Sequence, residues 1–174
     1  RIVCVATASP GLMGGAMRQL VLASNNAGKL AELQMLFAPL GWQLRPQSDF
    51  HVPEADEPFH TFVENALAKA RHAAAHTGLP AVADDAGLCV DAFDGLPGVQ
   101  TAHYATQFGY PKGDAGNVRA LLEQLDGVAQ RRAALVSTLV AVRSPSATAF
   151  SRTTSLVIEP TGNNVRSNSS RSHV

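Results

Sequence analysis

Gln19-Leu20-Val21-Leu22-Ala23 runs directly into Ser24-Asn25-Asn26-Ala27-Gly28-Lys29, and the reading of the chain turns on this junction. A short apolar run of this kind predicts a buried strand, Gln19–Ala23. Small polar residues, a glycine and a lysine then precede an amphipathic stretch, Gly28–Ala38, with Leu30, Leu33, Leu36 and Phe37 on one helical face. A strand, a tight turn and a helix start form a phosphate-holding arrangement. The turn offers backbone N–H groups, the helix start a partial positive charge, and Lys29 a full one. The P-loop spacing Gly-x-x-x-x-Gly-Lys-Ser/Thr is absent, so this is a different phosphate turn.

Working outward, Pro39 and Gly41 end the first helix, and Trp42–Arg45 reads as a second strand. His51–Pro58 is a loop carrying Glu54, Asp56 and Glu57. Thr61 and Glu64 have capping-box spacing, which starts a helix that runs to about Thr77 and stops at Gly78 and Pro80. Ala81-Val82-Ala83 is a short strand expected to deliver Asp84 and Asp85 at its end. Asp94-Gly95 and Pro97-Gly98 mark turns. Asn117–Leu125 is a helix with Val118, Leu121, Leu122 and Leu125 inward. Ala133–Val142 is apolar enough for a strand covered on both faces. Alternating strands and helices give an α/β class.

The chain has 174 residues, 45% of them hydrophobic, with 14 basic against 14 acidic side chains. That is one domain or two small lobes. Zero net charge argues against gripping nucleic acid polymers, but leaves room for a nucleotide, which needs only a local cluster. No stretch spans a bilayer. Cys4 and Cys89 make neither a disulfide framework nor a metal motif, which favours a reducing cytoplasm. Residues 1–16 read as an N-terminal extension, with Met17-Arg18-Gln19-Leu20 resembling a natural start; 17–143 form the α/β domain. From Ser144 to Val174 the composition turns to Ser, Thr, Asn and Arg. This tail, which reads as a frameshifted or artificial ending, is expected to be poorly ordered apart from a strand at Ser155–Ile158.

The acids and lysines suggest chemistry. Magnesium takes one or two carboxylates, water and substrate phosphate oxygens. Adjacent aspartates on a strand point to opposite sides, so one of Asp84 and Asp85 would face the substrate and the other support it. Spacing alone equally allows Asp84-Asp85 to open a turn. Lys69 lies on a face with Phe62, Asn65, Ala66 and Ala73. It either snorkels to solvent or points into an anionic site, with Glu64 and Asn65 placed to orient it. His72 and His76 lack a glutamate between them and read as surface residues. Cys89 reads as a core residue. Together the groups suit metal-assisted phosphoanhydride hydrolysis.

Four ordered blocks carry a resemblance. They are Leu22 through Lys29; Thr61-Phe62-Val63-Glu64-Asn65-Ala66 with Lys69-Ala70-Arg71; Ala83-Asp84-Asp85-Ala86-Gly87-Leu88; and Gly95-Leu96-Pro97-Gly98-Val99. In order and spacing over Met17 to Arg143 the chain resembles the purine nucleoside triphosphate pyrophosphatases that act on inosine and xanthosine triphosphates. The resemblance implies a central mixed sheet flanked by helices, with two lobes around a cleft. It implies Mg2+-dependent cleavage of ITP, dITP or XTP to the monophosphate and pyrophosphate, by a homodimer. Ser24, Asn25, Asn26, Ala27, Gly28 and Lys29 match its triphosphate turn, and Lys69 matches a second phosphate-contacting lysine. Glu57 and Asp85 match metal-linked acids, Asp85 also the general base, and Asp84 its acidic neighbour. Ala86 stands where the family commonly has Ser or Thr at the substrate. Ala102-His103-Tyr104 stands for Ala-Arg-Tyr, and the later purine-reading blocks have no counterpart. The alternative reading is an inert remnant that binds polyphosphate or a partner subunit without turnover.

Overall fold

A computed structural model of the chain describes residues 18–158 and 166–173. The extension assigned to 1–16 lies outside them. Among the described residues the strands are β1 (Arg18–Leu22), β2 (Trp42–Pro46), β3 (Ala81–Val90), β4 (Ala133–Val142), β5 (Phe150–Ile158) and β6 (Arg166–His173). The α-helices are α1 (Ala27–Phe37), α2 (Phe62–Thr77) and α3 (Asp114–Gln124). Strand order is β2-β1-β3-β4-β5-β6. β1 pairs in parallel with β2 and β3, while β5 and β6 are antiparallel, so the sheet is mixed and the fold α/β.

The chain divides into two compact units. The first holds residues up to Glu57, Leu67–Ala83 and Val140–Ala149; the second holds Pro58–Ala66, Asp84–Leu139 and the chain from Phe150. In the first unit, Leu20, Val21 and Leu22 of β1 are buried, each stabilising by about 1.5–3 kcal/mol through loss of apolar surface to water. Val21 N–H donates to Pro80 O and Ala23 N–H to Val82 O, which fixes the start of β3 beside β1. Ala70, Ala73 and Ala74 give α2 a fully buried small-residue face, and Gly78, with φ of 67°, follows its end. In the second unit, the segment Gly98–Phe108 is wound as 3-10 turns and packs on α3, where Tyr104 Oη donates to Gln124 Oε1 at 2.7 Å.

Several expectations change. β3 does not stop at Ala83; it continues to Val90, so Asp84 and Asp85 sit mid-strand and the turn reading falls. The side chains of Leu30, Leu33, Leu36 and Phe37 are only half-buried, because no residue of α1 is fully covered. On α3, Leu125 just past its end is buried, as is Ala120, but Val118 and Leu122 face outward at 55% and 54% exposure. β4 has its predicted bounds, but Leu135 is exposed and several neighbours are half-covered, so it is not sealed on both faces. In the tail, where one strand over Ser155–Ile158 is expected, Phe150 through Val157 pair in register with His173 back to Arg166. Among the described residues, no helix is long and apolar enough to cross a membrane.

Candidate functional site

The first unit carries the turn expected to hold phosphate. β1 ends in the core, and the chain emerges at Ser24, half-buried, into exposed Asn25, Asn26, Ala27 and Gly28. Three side chains hold it. Ser24 Oγ accepts Asn26 N–H at 3.2 Å, Asn25 Oδ1 accepts Ser48 N–H at 3.1 Å, and Asn26 Oδ1 accepts Lys29 N–H at 3.1 Å. Asn26 is thus the N-cap of α1, and Gly28 and Lys29 belong to the helix's first turn rather than to the loop before it. Helix geometry leaves the N–H groups of Ala27 and Gly28 without an intrahelical acceptor, and both residues are exposed. A Cβ on Gly28 would lie 3.2 Å from Asn26 Oδ1, tight against the capping atom. No acidic side chain occupies the first turn to repel an anion.

The same unit holds Glu57 and Lys69. Lys69 Nζ lies 2.9 Å from Glu57 Oε2, with the lysine side chain 14% exposed and the glutamate 45%. The snorkelling reading of Lys69 is therefore corrected: α2's alanine face leaves room for the long stem, and the ammonium meets a carboxylate on the acidic loop. His72 Nε2 is 3.0 Å from Pro53 O, and His76 Nδ1 is 2.9 Å from His72 O. Both histidines bond to carbonyls of the chain; His76 is exposed, as read from the sequence, whereas His72 is half-buried.

The second unit carries the acids of β3. Alternation puts Asp85 inward, at 8% exposure, with Asp84 half-buried and Ala86 exposed. Asn65, itself 2% exposed, donates from Nδ2 to Asp85 Oδ2 at 3.4 Å and to Phe59 O at 3.1 Å. Its Oδ1 accepts Phe59 N–H at 3.0 Å. One carboxamide thereby ties the loop ahead of α2 to the aspartate. Glu64 reaches back to Thr61. Its carboxylate accepts from Thr61 Oγ1 at 2.5 Å, while Thr61 Oγ1 accepts Glu64 N–H at 3.3 Å, so it is spent on starting the helix.

Sequence reasoning missed two supports of this strand. Gly87 is buried where a Cβ would stand 2.1 Å from Gly98 O, so no other residue fits without moving backbone. Thr101 Oγ1 accepts Leu88 N–H at 2.8 Å and donates to Gly98 O at 2.6 Å. Gly87 in the third block and Gly98 in the fourth were the available signals; Thr101 left none. Cys89 is half-buried, and burial pushes its thiol pKa up, away from nucleophilic use. Among the described residues no three of His, Cys, Asp and Glu are grouped to hold a metal.

Comparison with known proteins matches this arrangement to relatives. The Ham1 family model matches residues 20–165. A dITP/XTP pyrophosphatase of Paracidovorax citrulli is 80% identical over 127 residues, 73% of this chain and 64% of the relative. One from an Acidovorax species is 78% identical over 127 residues, 73% of this chain and 62% of the relative. A solved HAM1 protein of Coxiella burnetii superposes with a TM-score of 0.72 at 39% identity, covering 85% of this chain and 77% of that one. A nucleoside-triphosphatase, or dITP/XTP pyrophosphatase, of Mycobacterium abscessus gives 0.67 at 38% identity, covering 80% and 72%. The chain thus spans less than two thirds of the length of the two pyrophosphatases matched by sequence.

Proposed function

We propose, from the premise that this chain belongs to the Ham1 family, that it hydrolyses non-standard purine nucleoside triphosphates (ITP, dITP and XTP) to the monophosphate and pyrophosphate. The observation that carries the reading is the start of α1. Ala27 and Gly28 are exposed at a helix start whose first N–H groups have no intrahelical acceptor, and Asn26 holds Lys29 in the first turn. A helix start of this kind suits a phosphate group.

The roles follow from the residues. Ser24 through Gly28 cradle the triphosphate with backbone donors, and Lys29 and Lys69 neutralise its charge. Ala86 touches substrate without offering a hydroxyl. Glu57 and Asp85 would hold a divalent cation, magnesium by preference because both ligands are carboxylate oxygens. When bound, the cation neutralises phosphate charge and orients the leaving group. Asp85 accepts a proton from the attacking water. A P–O bond forms to that water's oxygen while the phosphoanhydride bond to the departing pyrophosphate breaks. Asn65 orients the Asp85 carboxylate, and Asp84 stands beside it as its acidic neighbour on the other face of β3. We place the protein in a reducing cytoplasm and infer that it works as a homodimer.

The test is pyrophosphate release from ITP against ATP with and without magnesium. Magnesium-dependent release that favours ITP supports the reading. Tight triphosphate binding without release would instead favour the inert remnant, for which exposed Ala86 in place of a hydroxyl is the specific sign.

A further inference from the structure

The acidic loop after Val52 carries Glu54, Asp56 and Glu57 within four residues and has no regular secondary structure of its own. Like charges so near along the chain repel, which favours an external hold. α2 supplies two. Lys69 Nζ grips Glu57 at one end of the loop, and three residues on, His72 Nε2 meets Pro53 O at the other. Residues three apart share one helical face, so both holds come from a single stripe of α2. A carbonyl can only accept, so His72 Nε2 carries the proton and donates. The ring is steadied from its far side by His76, whose ring centroid is 4.2 Å away and whose Nδ1 bonds back to His72 O.

We propose that His72 is a positioning residue for Glu57: by holding Pro53 O it fixes the acidic loop, so that Glu57 is presented for cation binding at little ordering cost. The proposal rests on the reading of Glu57 as a metal-linked acid. It gives α2 a second task beside the Lys69 contact, at a loop whose entry is also anchored by buried Val52, its N–H bonded to Gln47 O at 3.2 Å. A structural histidine would affect stability alone; a positioning one alters how much magnesium the enzyme requires.

The experiment has two readouts. Amide hydrogen exchange over residues 54–57 is measured without metal, and pyrophosphate release from ITP is measured against magnesium concentration. His72→Leu should speed exchange and raise half-saturating magnesium, each about three- to tenfold, the range supported by one hydrogen bond. The rate at saturating magnesium should stay within about twofold on the same ground. His72→Gln, whose Nε2 donates from nearly the same place, should restore both; His72→Asn, too short to reach, should not. Unchanged exchange in His72→Leu, or equal loss in the Gln and Asn variants, overturns the proposal. If the unaltered chain releases no pyrophosphate from any purine triphosphate, the functional reading fails, while the exchange comparison still decides whether His72 holds the loop.

Discussion

In the first unit Asn26 sets the start of α1 by bonding a backbone N–H three residues along the chain. In the second, Asp85 is held by Asn65, twenty residues away and itself buried. The turn after β1 is thus a local device, exposed and held chiefly by side chains of its own short segment. The acidic strand is a tertiary device, whose carboxylate is oriented by a helix start and whose backbone is braced by Thr101 and Gly98. A local device tolerates loss of one contact, because its neighbours and water replace it. A buried one does not, because the partner left behind is cut off from solvent.

Substitutions should separate the two. Asp85→Asn keeps shape and burial but removes the base, and should lower kcat for ITP by about 10²–10⁴-fold with triphosphate binding retained. Steady-state kinetics beside calorimetric binding checks this, and a rate within tenfold of the unaltered enzyme would remove Asp85 from the chemistry. Asn65→Ala strips Phe59 of both its carboxamide contacts and should cost about 2–3 kcal/mol in denaturant unfolding. Gly87→Ala drives a methyl into Gly98 O and should cost about 1–3 kcal/mol, read in the same way. Asn26→Ala, by contrast, should cost only about 1 kcal/mol, the value of one helix cap, while weakening triphosphate affinity. Equal unfolding losses for Asn26→Ala and Asn65→Ala would erase the distinction between the two regions.

Legibility followed the same division. The bounds of α2 were readable from Thr61, Glu64 and Gly78, and those of β4 from its apolar run, because caps and runs act over a few residues. Asp84 and Asp85 were placed at a strand end because two aspartates look like punctuation. Pairing and packing carried β3 on to Val90, and tertiary context outweighed local propensity. Val118 and Leu122 were assigned inward by spacing, yet α3 buries Ala120 instead, since periodicity defines a stripe without saying which neighbour covers it.

The sequence by itself determined the α/β class, the capping box that opens the helix carrying Lys69, and the four blocks that mark the family. Each depends on chemistry between residues close along the chain. Only the folded structure decided that Lys69 meets Glu57, that Asn65 reaches Asp85, that His72 holds Pro53, and that Gly87 admits no side chain. These are contacts between distant segments, and the free energy that selects them arises when water is excluded from both sides at once. No local pattern encodes that event.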